Sequence, residues 1–171
     1  MAKLRKMLGD PRSQSCRAMM QLIETQNKTT LALWALEFAA QRYLPICRDA
    51  YPHMEDIVQE CMQNVREKEP LSRSKPLLRE ATAQAREDRG PAAQAAARAA
   101  ATACSVMQTP TGALGFLFYG AAAWAYSHAG TDRSDEEYRA LAEAEFTEAY
   151  RSLLACAVKD EPDPVRVNWN C

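Results

Sequence analysis

Apolar residues recur at helical spacing along most of the chain. Cys16, Met19, Met20 and Ile23 follow the i, i+3, i+4, i+7 rule of an amphipathic helix. The same spacing returns in successive segments as far as Leu153, and no segment alternates long enough to predict a stable strand. The pattern therefore predicts an all-α protein.

Prolines, glycines and capping residues divide this pattern into about seven antiparallel helices. Proline favours the first turn of a helix because its missing N–H would have no partner there. Ser134 and Glu137 are spaced as a capping box, and Pro45 and Pro70 are expected to end or kink helices. The expected helix starts lie at Asp10-Pro11, Asn27–Thr30, Pro52, Pro76, Gly90-Pro91, Thr109-Pro110 and Ser134.

The last residues break the helical pattern. The segment Glu161-Pro162-Asp163-Pro164 cannot be helical, and residues 165–169 alternate. We expect residues 1–171 to form a single α-helical domain in which residues 158–171 are an extended tail.

Composition and charge narrow the classes of partner. Apolar residues make up 47% of the 171 and charged residues 25%, which is typical of a globular domain. The net charge of −1 argues against a nucleic-acid partner, which needs a dense basic surface. The most apolar stretch, residues 112–126, is shorter than the roughly 20 residues of a membrane span, so we expect no membrane partner.

The chain carries no recognisable catalytic motif. It has no nucleophile elbow, phosphate loop or dinucleotide fingerprint, and its two histidines, His53 and His128, lack the further ligands of a metal site. None of the six cysteines lies in a CxxC pair, and we expect no signal peptide because no apolar region follows the basic residues 3–6. We expect a cytoplasmic protein with reduced thiols, no metal, no cofactor and no enzymatic activity.

Three glycines in one predicted helix need an explanation. Gly112, Gly115 and Gly120 each cost about 1 kcal/mol relative to alanine in a helix interior. Close packing against the alanine-rich helix at residues 91–107 would offset this cost. Alternatively, the glycines line a ligand pocket in which Arg98 anchors an anion. Arg98 also lies on a polar stripe that would be solvated, or would need a carboxylate partner if buried.

The last third of the chain is acidic, with ten acidic and five basic residues after position 109. Most of these acids lie in the seventh predicted helix, where Glu137 is used for capping. A solvated helix face is one interpretation, and a surface that steers a basic partner is the other. The candidate partner-binding residues are Asp135, Glu136, Glu143, Glu145 and Glu148.

Several segments resemble a known family. They are LRKMLG at 4–9, LIETQ at 22–26, YLPI at 43–46, LLREA at 77–81, AAQAAARA at 92–99, TPTGALG at 109–115 and NWNC at 168–171. Together they resemble the immunity proteins of bacterial polymorphic toxin systems, in the group numbered fifth and its close relatives. The resemblance implies an α-helical, cytoplasmic protein that binds and neutralises a cognate toxin domain.

Two other functions stay open at this point. The chain would be a small-molecule-binding protein or an enzyme if a pocket lies along Gly112–Gly120. It would be a structural scaffold if it forms a homodimer. The sequence does not decide the oligomeric state.

Overall fold

The structure, a computed structural model, describes residues 3–170 and contains eight α-helices with no strand among these residues. The predicted all-α fold is confirmed. The helices are α1 (Gln14–Ile23), α2 (Lys28–Arg42), α3 (Leu44–Cys47), α4 (Met54–Arg66), α5 (Leu71–Arg86), α6 (Pro91–Cys104), α7 (Gly112–Ala129) and α8 (Asp135–Cys156).

Two helix starts are formed by the residues that predicted them. Ser134 Oγ accepts a hydrogen bond from the Glu137 N–H at 3.1 Å, and Glu137 Oε2 accepts one from the Ser134 N–H at 2.9 Å. This is the predicted capping box at the start of α8. Pro91 is the first residue of α6, as the preceding glycine and the proline together indicated.

Pro11, Pro52 and Pro110 lie in turns just before α1, α4 and α7 rather than in the helices that they were expected to open, and two further prolines also differ from the prediction. Pro45 does more than end α2, because it lies in the first turn of the short additional helix α3. Pro76 lies inside α5, which begins five residues earlier at Leu71. A proline there removes the N–H that would bond the carbonyl of Ser72. The helix tolerates the loss because Ser72 is exposed, so that water can satisfy its carbonyl.

Helices α2, α6 and α7 form the centre of the fold. Helix α6 packs along α7, and it also contacts α2 to α5, while α8 packs on α7 and α1. The small side chains of α6 and α7 allow their backbones to approach closely. Tilted and edge-to-face ring contacts join α2 to α7. They involve Trp34, Phe38, Tyr43 and Phe116.

The segment before α1 is fixed to the surface of α7. The Leu8 N–H donates to the Phe118 carbonyl at 3.1 Å, and the Tyr126 hydroxyl donates to the Arg5 carbonyl at 2.7 Å. Gly9 has a φ of +119°, and a Cβ there would lie 2.7 Å from a ring atom of Phe146. Only glycine satisfies both conditions, so the segment turns at this residue.

The chain after Cys156 is tied to the start of α2. Val158 and the buried Gln26 side chain exchange two hydrogen bonds of 2.8 and 3.0 Å. Glu161 is also buried, and it accepts hydrogen bonds from the Asn27 N–H at 2.7 Å and the Thr30 hydroxyl at 3.0 Å. A carboxylate at a helix N-terminus also suits the helix dipole.

This contact yields a first prediction. Replacing Glu161 with alanine should lower the free energy of unfolding by about 2 kcal/mol, because two donors at the start of α2 lose a charged acceptor. Urea denaturation measures the change. The exposed neighbour Lys159 provides the control, since Lys159→Ala should stay within about 0.5 kcal/mol of the parent protein. Equal stabilities for the two variants would show that this contact contributes nothing.

Candidate functional site

The most buried charged group in the described chain is the carboxylate of Glu145, with a residue exposure of 2%. One of its oxygens accepts hydrogen bonds from the Tyr43 hydroxyl at 2.8 Å and from Arg42 Nε at 3.1 Å. The other oxygen accepts from Arg42 Nη2. Arg42 thus binds the carboxylate with two parallel bonds, which is the strongest geometry for this type of pair.

The prediction that Glu145 faces a partner is therefore wrong. Glu145 lies on the buried face of α8 with Ala142, Phe146 and Ala149. At 3.6 residues per turn, a spacing of three leaves Glu145 and Glu148 about 60° apart around the helix. That angle is enough to bury Glu145 and to leave Glu148 exposed.

Arg42 also forms the inner end of a stack of three planar side chains, followed by Trp124 and then His128. Its guanidinium carbon lies 3.8 Å from the centre of the Trp124 ring, and Trp124 stacks on His128 with ring centres 3.9 Å apart. Trp124 is half-buried and His128 is exposed. The Arg42–Glu145 ion pair therefore fixes the position of the half-buried Trp124 ring through the guanidinium group of Arg42.

Arg42 and Tyr43 keep their protons at neutral pH. Burial alone would lower the pKa of the Arg42 guanidinium, but the hydrogen bonds and negative charge of Glu145 raise it above its usual value. Burial raises the pKa of the Tyr43 hydroxyl, and the Glu145 charge raises it further. The cluster is suited to positioning side chains rather than to transferring a proton.

The other four acids proposed from the sequence lie at or near the surface. Asp135 and Glu136 are exposed in the first turn of α8, and Glu148 is exposed further along the helix. Glu143 is half-buried and accepts a hydrogen bond from the Ser15 hydroxyl at 2.7 Å. Their contact with a partner remains a prediction.

The glycines of α7 lie against neighbouring groups. A Cβ on Gly120 would lie 2.1 Å from Tyr43 Cζ, and a Cβ on Gly112 would lie 3.4 Å from the Thr102 carbonyl oxygen of α6. Gly115 has more room, since a Cβ there would lie 3.9 Å from Thr102 Cγ2. Close packing explains Gly120, for which the neighbour is Tyr43 rather than the alanine-rich helix, whereas a Cβ on Gly112 would make contacts at the edge of the ordinary range.

Arg98 is half-buried on α6 and borders two clefts. The glycines of α7 line neither of them, so Arg98 and the glycines do not form the single pocket considered from the sequence. No carboxylate of the described residues forms an ion pair with Arg98. The arginine that pairs with a buried acid is Arg42.

Most of the described cysteines are buried. Cys16, Cys47, Cys61 and Cys104 are buried, whereas Cys156 is exposed and Cys171 lies outside the described residues. Burial raises the pKa of the Cys47 thiol to about 12, despite the neighbouring Arg48. Cys47 is therefore protonated at neutral pH and is a poor nucleophile.

Residues 3–170 contain neither a metal-ligand cluster nor a membrane-spanning helix. No three His, Cys, Asp or Glu side chains converge there as metal ligands would. No helix in the same range combines the length and the apolar character needed to cross a bilayer.

Comparison with known proteins identifies the family. The family described as "Imm-5 like putative immunity protein" has a model that matches residues 21–148, about three quarters of the chain. The chain belongs to this family. The search of curated proteins and the search of solved structures each found no match.

The part matched by the Imm-5 like model includes the whole Arg42–Glu145 cluster, Trp124 and His128, together with Glu148 at its last position. Residues 3–20 and the segment after 148, with Glu161, lie outside it. The family range therefore ends within α8 and contains its acidic residues.

Sequence reasoning missed the partnership of Arg42 with Glu145. The signal was present, because Glu145 occupies a position that the apolar spacing of Ala142, Phe146 and Ala149 assigns to the core. A charged residue on such a face requires a buried partner of opposite charge. Choosing that partner among the 21 lysines and arginines requires the fold.

Proposed function

We propose that this protein binds a toxin domain in the cytoplasm and blocks it by occupying its surface, without turnover. The family match over residues 21–148 carries this proposal, since the family is one of immunity proteins. An interface of ordinary size buries roughly 1,600 Å² in total, which one face of a helical domain of this size provides.

We place the contact surface on the exposed acids Asp135, Glu136 and Glu148 of α8 and on the half-buried Glu143 of the same helix. These carboxylates lie on a single rigid helix, with Arg139 and Arg151 as its exposed basic residues. Such a surface attracts a partner with a basic face and speeds the encounter. The partner we propose is therefore a toxin domain whose contact face is positively charged.

The stack of Arg42, Trp124 and His128 lies beside these acids and supports the same placement of the contact surface. Glu148 is close enough to Arg42 for its charge to raise the pKa of the guanidinium. Trp and Arg are among the residues that contribute most to binding energy at interfaces. Trp124 is already held by Arg42 on one side and His128 on the other, so binding would cost it little conformational entropy.

Charge reversal tests this surface. Glu148→Lys should slow association with the proposed cognate toxin domain about tenfold at low ionic strength, because it removes an attraction and adds a repulsion. At high ionic strength the difference should shrink, since salt screens exposed charges. Stopped-flow fluorescence or surface plasmon resonance measures the association rate constants.

Glu60 on α4 provides the matched control. It is exposed, it forms no ion pair with the described residues, and it lies on a helix that does not pack on α8. Glu60→Lys changes the net charge by the same amount and should leave the association rate constant nearly unchanged. Equal rate constants for the two variants would remove α8 from the contact surface without affecting the family assignment.

A further inference from the structure

A cleft of about 480 Å³ lies between the N-terminal segment and the start of α6. Four of its lining residues are cations: Lys3, Arg5 and Lys6 come from the segment and Arg98 from α6. The carboxylate that lines it belongs to Asp88, which accepts a hydrogen bond from the Gly90 N–H at 3.2 Å. The three basic residues at the start of the chain thus lie around one concave site, together with Arg98.

These four cations are not neutralised within the described chain. The cationic groups of Lys3, Arg5, Lys6 and Arg98 form no ion pair or hydrogen bond with a residue in the range 3–170, although the Arg5 and Arg98 carbonyls accept hydrogen bonds. A concave surface lined by charge of one sign concentrates the electric field and attracts counter-ions. The cleft is therefore complementary to an anion.

The backbone around the cleft adds to this preference. Helix α6 begins at Pro91, which lines the cleft, and no side chain caps its N-terminus. The helix dipole places partial positive charge at this end of α6. The contribution is that of the dipole, because Pro91 has no N–H and the Gln94 N–H donates to the Gly90 carbonyl. The opposite wall is also fixed, since the Arg5 carbonyl accepts the 2.7 Å hydrogen bond from Tyr126.

We propose that this cleft binds a small anion with two or more phosphate groups. Arginine donates two parallel hydrogen bonds to a phosphate, and lysine supplies a point charge. The volume is within the range of about 300 to 1,000 Å³ typical of small-molecule sites and exceeds what a single phosphate needs. Its lining residues Lys3, Arg5 and Lys6 precede the range matched by the family model, and Arg5 also lines a neighbouring cleft with Asp135 of the proposed toxin surface.

Titration calorimetry with inorganic pyrophosphate, on the full chain in phosphate-free buffer, tests the proposal. The parent protein should bind pyrophosphate, and Arg98→Gln should weaken binding at least tenfold. The double variant Lys3→Gln/Lys6→Gln should weaken it several-fold. Arg79→Gln is the matched control, because Arg79 is an exposed arginine of α5 that does not line the cleft.

A second probe, ADP, shows what the cleft recognises. Equal affinities for ADP and pyrophosphate would support recognition of the phosphate groups alone, and tighter binding of ADP would support a nucleotide. Absence of pyrophosphate binding at millimolar concentration would overturn the proposal. So would equal affinities of the Arg98→Gln and Arg79→Gln variants, with circular dichroism showing both to be folded.

Discussion

Replacing Glu145 with alanine should lower the free energy of unfolding by about 3 to 5 kcal/mol. The variant leaves the Arg42 guanidinium and the buried Tyr43 hydroxyl without their shared acceptor. Natural domains have a total stability of about 5 to 15 kcal/mol. The substitution would therefore remove a large part of the margin that keeps this protein folded.

The exposed Glu148, one turn along the same helix, provides the control. Glu148→Ala should change the free energy of unfolding by no more than about 0.5 kcal/mol, because its carboxylate is solvated. Chemical denaturation followed by far-ultraviolet circular dichroism measures both variants. Equal free energies of unfolding for Glu145→Ala and Glu148→Ala would show that the buried ion pair does not stabilise the fold.

A methyl group at Gly120 should also destabilise the protein strongly, by about 3 kcal/mol or more. The added Cβ would lie 2.1 Å from Tyr43 Cζ and 2.4 Å from Cε2. The ring cannot move aside easily, because its hydroxyl is bonded to Glu145 and its edge contacts Phe38 and Phe116. Tyr43→Phe would not rescue the variant, since phenylalanine keeps both ring atoms.

Gly115, five residues earlier in α7, gives a control of opposite sign. Its added Cβ would make only an ordinary contact of 3.9 Å with Thr102 Cγ2. Gly115→Ala should therefore stabilise the protein by up to about 1 kcal/mol, because alanine has the higher helix propensity. Thermal denaturation should show opposite shifts of Tm for the two variants, and similar shifts would contradict the packing argument.

Local signals predicted much of the fold. The apolar spacing indicated the helices, and the start of α8 was read correctly because Ser134 and Glu137 are neighbours along the chain. The prediction that a helix begins at Pro76 was wrong, because sequence alone does not show whether a proline opens a helix or lies inside one. The outcome depends on the exposure of the carbonyl four residues earlier, which the tertiary structure decides.

The candidate site was less predictable because it depends on contacts between distant residues. Glu145 and Glu148 look alike as members of an acidic run, yet one binds Arg42, 103 positions earlier, and the other is exposed. The role of Gly120 likewise depends on the ring of Tyr43, which reaches it from the junction of α2 and α3.

The most direct test of the account is growth of bacteria that produce the proposed cognate toxin domain. With the parent protein co-expressed, we predict restored growth and a complex of the two proteins that co-purifies. Glu136→Lys/Glu148→Lys should weaken that rescue while Glu60→Lys preserves it. Unrelieved toxicity and no complex, despite abundant folded protein in the same cells, would contradict the claim that this protein acts by binding the toxin.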